Sequence, residues 1–254
     1  TTGDQCVAVG YQALENNTGS FNTAVGSECL FTNTTGANNV AVGQAVLYQN
    51  TTGTLNTAVG NSALNKNTTA SYNSAFGNQA LELNTTGEYN TAVGYNALEA
   101  NTTANNNTAV GYQALHNNTT GSENAAFGYH ALESNTTASQ MCAFGYEALS
   151  TSDTEMYNNA FGYQALKVAN GGRFNTAMGW KVMAALTTGD DNTGVGHDTM
   201  PQLTTGDDNT GIGNNSLYAL TTGNNNAALG SYSLHTVTTG SDNTAVGKNA
   251  LFAN

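Results

Sequence analysis

Hydrophobic and polar positions repeat along this chain with a step of 17 residues. The clearest copy is Asn90-Thr91-Ala92-Val93-Gly94-Tyr95-Asn96-Ala97-Leu98. Its glycine returns at Gly10, at Gly26, and then at every seventeenth position to Gly247, fifteen copies in all; only the first interval, of 16 residues, departs from 17. A period this strict predicts a repeat architecture in which each unit stacks on the next. Seventeen residues are too few for two helices and a turn and too many for one straight strand. The expected fold is therefore all-β, a parallel β-solenoid (β-roll) of about fifteen 17-residue coils forming a single array over residues 1–254.

Columns are numbered by distance from the glycine. The −1 column is always apolar, from Val9 and Val25 through Phe76, Phe127, Phe144, Phe161 and Met178 to Val246. The +4 column is always Leu or Met. Two unfailing apolar ladders predict the interior. The −3 column is usually Thr, yet where −1 is Phe it is Ser74, Ala125, Cys142 or Asn159. Positions two apart share a face of a strand. The trade predicts a strand here with its −3 and −1 side chains packed together and pointing inward.

The opposite face holds only Ala or Gly: Ala24, Ala41, Ala58, Ala75, Ala92, Ala109, Ala126, Ala143, Ala160 and Ala177 among thirteen alanines, plus Gly194 and Gly211. Something must approach this column closely. It is either a tight bend or thin second sheet of the same chain, or another copy of the chain; these alanines are the expected subunit interface. A second strand is expected after the glycine. There, adjacent Ala (+3) and Leu (+4) require either a bend or a partner facing one of them.

The linker Asn-Thr-Thr-Gly, as at 84–87, predicts positive-φ turns at its Asn and Gly. A second Asn column at −4 predicts stacked carboxamides bonded up a ladder. At +7, asparagines from Asn17 to Asn135 give way to Ser152 and Ala169, then to Leu186, Leu203, Leu220 and Val237. A change of cross-section is expected near 150–174. Fifteen coils at about 4.8 Å each give a rod on the order of 70 Å. Thr1 opens inside a linker and Asn254 follows a core motif, so the sequence is expected to be cut from a longer array whose open ends something covers.

Composition narrows the function classes. Five Lys+Arg against seventeen Asp+Glu give −12, which excludes a basic phosphate-binding surface; no nucleic-acid partner is expected. No apolar run is long enough to span a bilayer, so no membrane insertion is expected from this segment. Cys6, Cys29 and Cys142 fall in three different columns and form neither a disulfide framework nor a ligand set. His116, His130, His197 and His235 form no repeated pair, and stacked Asp190-Asp191 and Asp207-Asp208 lack the nine-residue glycine pattern of calcium-binding rolls. No catalytic residue, metal or cofactor is expected, and no enzyme activity.

Tyr95, Tyr112, Tyr129, Tyr146, Tyr163 and Trp180 occupy +1 in six successive coils. This row is either a stack that stabilises the solenoid or a ligand surface for a glycan or a host-surface protein. The paired threonines raise ice binding, although adjacent residues of an extended segment point opposite ways. Asn-x-Thr sequons recur, as turn chemistry unless the protein meets a glycosylating pathway.

The core Asn107-Thr-Ala-Val-Gly-Tyr-Gln-Ala-Leu115 resembles the head repeats of trimeric autotransporter adhesins and the repeats before the chaperone domain of phage-type tail fibres. The resemblance covers the whole chain. It implies a left-handed β-roll, three chains per fibre, at a cell or virion surface. Adhesin head repeats are commonly about 14 residues, so this coil has a longer linker, and stalk, anchor and chaperone are missing from this sequence. The expected function is a non-enzymatic extracellular structural fibre or adhesin segment presenting a repetitive surface. The alternatives are a self-stacking extracellular filament, built head to tail from this chain, and an ice-binding protein.

Overall fold

The computed structural model describes residues 3–153 and 157–253. Thr154, Glu155 and Met156, within the zone where a change of cross-section is expected, lie outside the described residues. Among those described there is no helix, and fifteen short parallel strands recur once per coil. The protein is described as two compact units, Thr1–Asn124 and Ala125–Asn254. The 17-residue step is unbroken at that boundary, and the exchange of the +7 corner falls within the second unit.

The first unit carries β1 (Val7–Val9) to β7 (Thr108–Val110), each strand being the −3, −2 and −1 residues of its coil. Successive strands pair parallel and in register, Ala75 opposite Ala92 and Ala92 opposite Ala109. The 16-residue step leaves that register intact, since Ala8 still faces Ala24. The missing residue is the second linker threonine, between Thr18 and Gly19, at an outward corner. The second unit carries β8 (Ala125–Phe127) to β15 (Thr244–Val246) in the same order. Two of its strands, β11 (Thr176–Trp180) and β12 (Thr193–His197), run on through the glycine into the +1 residue.

The strand sits where the −3/−1 trade predicts, and those two columns do share a face, but that face points outward. Val93 and Phe144 are 37% exposed and Met178 47%, whereas Ala92, Ala143 and Ala177 have no exposed surface. The correction has a steric cause. The −2 column lies against the +3 and +4 side chains of the same chain, across an interior too thin for a valine. Where the facing residues enlarge to Val182, Met183, Thr199 and Met200, the −2 residue shrinks to Gly194 and Gly211. A Cβ on Gly194 would strike Val182, and one on Gly211 would strike Thr199. Ala plus Leu therefore fills the same gap as Gly plus Val and Met, which is volume complementarity within one core.

Among the described residues no second strand follows the glycine. The +1 to +6 residues form a turn in which +2 and +4 both have positive φ, as at Asn96 (53°) and Leu98 (52°). The bend turns both Ala97 and Leu98 inward, each fully buried. A left-handed leucine costs about 1–2 kcal/mol. Burial of its side chain, worth about 1.5–3 kcal/mol, offsets this, and the Leu98 N–H donates to the Ala114 carbonyl of the next coil at 3.0 Å.

Beyond the leucine every third residue points inward: Leu81, Asn84, Gly87 and Asn90 are all buried. The Asn and Gly of the Asn-Thr-Thr-Gly linkers do not adopt positive φ, contrary to expectation; the positive-φ positions among the described residues are −5, 0, +2 and +4, with Gly171 at +9 as the one addition. The +7 asparagine is there for its side chain. Asn50 donates to Asn33 at 2.7 Å, Asn67 to Asn50 at 2.8 Å and Asn101 to Asn84 at 2.9 Å, each also reaching the carbonyl three residues on. The −4 asparagines form the second expected ladder. The Asn90 side chain accepts the Asn107 N–H at 3.0 Å and donates to the Ala104 carbonyl at 2.8 Å. These bonds satisfy buried amides that would otherwise be costly to enclose. In the second unit Leu186, Leu203 and Leu220 take the +7 corner, fully buried, and the −4 ladder continues, Asn192 to Asn175 at 3.1 Å and Asn209 to Asn192 at 3.1 Å.

Candidate interaction surface

The alanine column expected at a subunit interface is closed inside each single chain: Ala24, Ala41, Ala58, Ala75, Ala92, Ala109, Ala126, Ala143, Ala160 and Ala177 have no exposed surface at all. Another copy has nothing of it to touch. The surface that each unit does present is the other face of the same strands. Three outward columns lie side by side there: −3 (mostly Thr), −1 (Val, Phe, Met, Ile or Leu) and +1 (aromatic over part of each unit). In-register pairing repeats each column at the strand spacing, about 4.8 Å. Phe127, Phe144 and Phe161 stack in the second unit, with ring centroids 4.3 and 5.3 Å apart.

The +1 row is both a stack and a surface. Tyr95 and Tyr112 stack at 5.3 Å in the first unit. In the second, Tyr129–Tyr146, Tyr146–Tyr163 and Tyr163–Trp180 stack at 5.0, 5.2 and 4.1 Å with rings nearly parallel. All six stay partly or largely exposed. Each inner ring has both faces covered by its neighbours and offers solvent an edge. A second exposed aromatic column lies at −5, where the sequence pattern gives little cue: Tyr72–Tyr89 stack at 4.9 Å and Tyr157–Phe174 at 5.1 Å. All four sit at positive φ, 59° at Tyr89 and 67° at Tyr157, in a column that elsewhere holds Asn, Asp, Gln, Glu, Leu55 and a lone Phe21. The aromatic residues there run at most two in succession, so no long row betrays them.

Polar side chains around the coil serve the coil. Asp190 and Asp207, the stacked acids, each accept a backbone N–H from the preceding coil: Arg173 donates to Asp190 at 2.7 Å and Asp190 to Asp207 at 2.8 Å. No group of three His, Cys, Asp or Glu is placed to hold a metal among the described residues. Hydrogen bonds from Lys167 Nζ at 2.6 Å and Gln164 Nε2 at 2.8 Å hold the Glu147 carboxyl below the ordinary range. Burial pushes the Cys29 thiol above its usual value, which keeps it protonated and inert.

The two linker threonines both face outward, because the backbone there is bent rather than extended. Their hydroxyls are not equivalent. The +8 hydroxyl donates to the +8 carbonyl of the next coil, Thr85 to Thr102 at 2.9 Å and Thr187 to Thr204 at 2.8 Å. The +9 threonines, such as Thr86 and Thr103, are exposed.

No family model, no curated protein and no solved structure matches this chain.

Proposed function

We propose that this protein is a non-enzymatic structural segment of an extracellular fibre or adhesin, displayed at a cell or virion surface, and that copies of it meet through the −3/−1 strip. The observation that carries the reading is the outward −1 column. A half-exposed aliphatic and aromatic residue in every coil, in line with its neighbours, is the kind of contiguous apolar surface that marks an association site. Threonine beside it supplies a flat border that a second copy can pack against. The resemblance of the Asn107–Leu115 core to trimeric adhesin heads and tail fibres supports three copies. The aromatic row at its margin is the part left to meet a host-surface protein or glycan.

Light scattering on a sizing column tests this. The chain weighs 26.1 kDa. A particle of three times that mass supports the trimeric fibre segment; a monomer at high concentration overturns it. Long fibres from the purified protein alone replace it with the self-stacking filament.

A second reading, ice binding, is favoured by one observation, the outward pairing of the +8 and +9 threonine ladders. Thermal hysteresis in a dilute solution of the protein decides it, and a freezing point equal to the melting point removes it.

A further inference from the structure

We infer that Asn170 is a self-modifying site, deamidating through attack by the backbone nitrogen of Gly171. Asn170-Gly171 is the sole Asn-Gly pair in the sequence, and it replaces the Thr-Thr of the linker at +8 and +9. Both residues are exposed. The replacement changes the backbone as well as the side chains. In the next coil Thr187 and Thr188 both donate their N–H to the Thr204 carbonyl, at 2.8 and 3.2 Å, and Thr85 and Thr86 treat Thr102 likewise. At 170–171 the first of these bonds is kept, Asn170 to Thr187 at 2.9 Å, and the second is absent among the described residues, as it is at Thr69 and Thr222; what is particular to 170–171 is the glycine and its backbone angle. Gly171 takes φ +127°, a conformation that side chains rarely adopt, and its N–H makes no backbone hydrogen bond among the described residues. The attacking nitrogen is therefore unengaged, next to an Asn whose carboxamide holds no hydrogen bond among the described residues, and no Cβ on residue 171 shields the approach.

The other asparagines lack this combination. Ladder residues such as Asn84 and Asn90 are buried with their carboxamides bonded on both sides, and a β-branched Thr follows each. Asn is among the thermally labile residues, and here the lability is confined to one corner. In the reaction the Gly171 nitrogen bonds to Asn170 Cγ as its proton passes to solvent base. The bond from Cγ to the carboxamide nitrogen breaks, that nitrogen takes up a proton and leaves as ammonia, and a succinimide remains. Water opens the ring at either carbonyl, to aspartate or to isoaspartate. The product adds one negative charge to the outward corner; as isoaspartate it also adds one backbone carbon between +8 and +9.

The test holds the intact folded protein in mildly alkaline buffer at physiological temperature, then digests it with trypsin in heavy-oxygen water, so that events during digestion carry the label. Cleavage after Lys167 and Arg173 releases Val168–Arg173. The expected result is unlabelled replacement of NH2 by OH in that peptide, isoaspartyl methyltransferase labelling of the same peptide, and loss of both in Asn170→Gln. An unchanged Val168–Arg173 while another Asn peptide deamidates overturns the inference, as does conversion seen only when the protein is held unfolded in denaturant.

Discussion

The Asn84 carboxamide donates to Asn67 Oδ1, 3.0 Å away and one coil back, and to the Gly87 carbonyl, also at 3.0 Å. It accepts in turn from Asn101 at 2.9 Å. Asn84→Ala leaves several buried groups short of a partner at once, and each such group costs about 1–3 kcal/mol. The expected outcome is a urea midpoint clearly below wild type. Asn84→Asp should be worse, since a carboxylate cannot donate and must be buried charged. Replacing the run from Asn17 to Asn118 with leucine together should cost far less per residue than one replacement, because partners then leave in pairs and the second unit already closes the same corner with Leu186, Leu203 and Leu220. Urea denaturation of the three variants checks the order.

Two glycines of one coil should respond oppositely to alanine. Gly77 has φ +146°, and a Cβ there would sit on the Gly94 carbonyl of the next coil. Gly77→Ala combines backbone strain with a backbone clash and should cost more than about 3 kcal/mol. Gly87 also lies close to the next coil, against the Ala104 carbonyl, but its φ is not positive. Ala70, Ala104 and Ala138 already occupy its column, buried. Gly87→Ala should fold with a melting temperature within a few degrees of wild type, roughly the span of a 1 kcal/mol change.

If copies meet on the outward strip, charge placed there separates them without unfolding them. Val93→Lys and Phe144→Lys should lower the particle mass toward 26.1 kDa and leave the circular dichroism unchanged. Substitutions at surface positions usually stay within about 0.5 kcal/mol. Ala92→Lys is the contrast: Ala92 has no exposed surface, so that variant should lose its fold, and a soluble, folded, monomeric Ala92→Lys would refute the assignment of the two faces.

The Glu147 carboxyl is held low by Lys167. A depressed carboxyl contributes stability above its unfolded pKa, about 4.3 for Glu, and loses it as pH falls through the depressed value. Lys167→Met should therefore melt below wild type at neutral pH, and the gap should close in acid. Because both side chains remain partly exposed, the gap is small and shrinks further in high salt. Melting curves at two pH values and two salt concentrations check both effects.

The period, the place of the strand, the leucine ladder and the two asparagine ladders were all legible in the sequence, because each rests on identity repeated at a fixed step. Direction was not. The rule that apolar columns point inward fails at Val93 and holds at Leu98, since the interior between them admits nothing larger than Ala92. Gly194 opposite Val182 and Met183, and Gly211 opposite Thr199 and Met200, contain that information, as a trade between −2 and the +3/+4 pair rather than between −3 and −1. The turn after the glycine was hidden for another reason. Leucine is a poor residue for positive φ, so nothing in Ala97-Leu98 advertises a left-handed bend; only the need to bury both neighbours implies it. The alanines drew attention as an interface because their smallness is visible and the surface they pack against is not.

One coil joins the next through the same donors and acceptors wherever the column residues agree, and this makes coils interchangeable. A unit can gain or lose 17 residues with every ladder rejoined, while a change of one residue in the strand would turn Ala92 out and Thr91 in. The single shortened step, between Gly10 and Gly26, falls at the Thr18–Gly19 corner, where a residue can go missing without exchanging inside for outside. Length in such a unit is quantised. It grows by about 4.8 Å per coil, and duplication or loss of whole coils resets it with no new interface to invent.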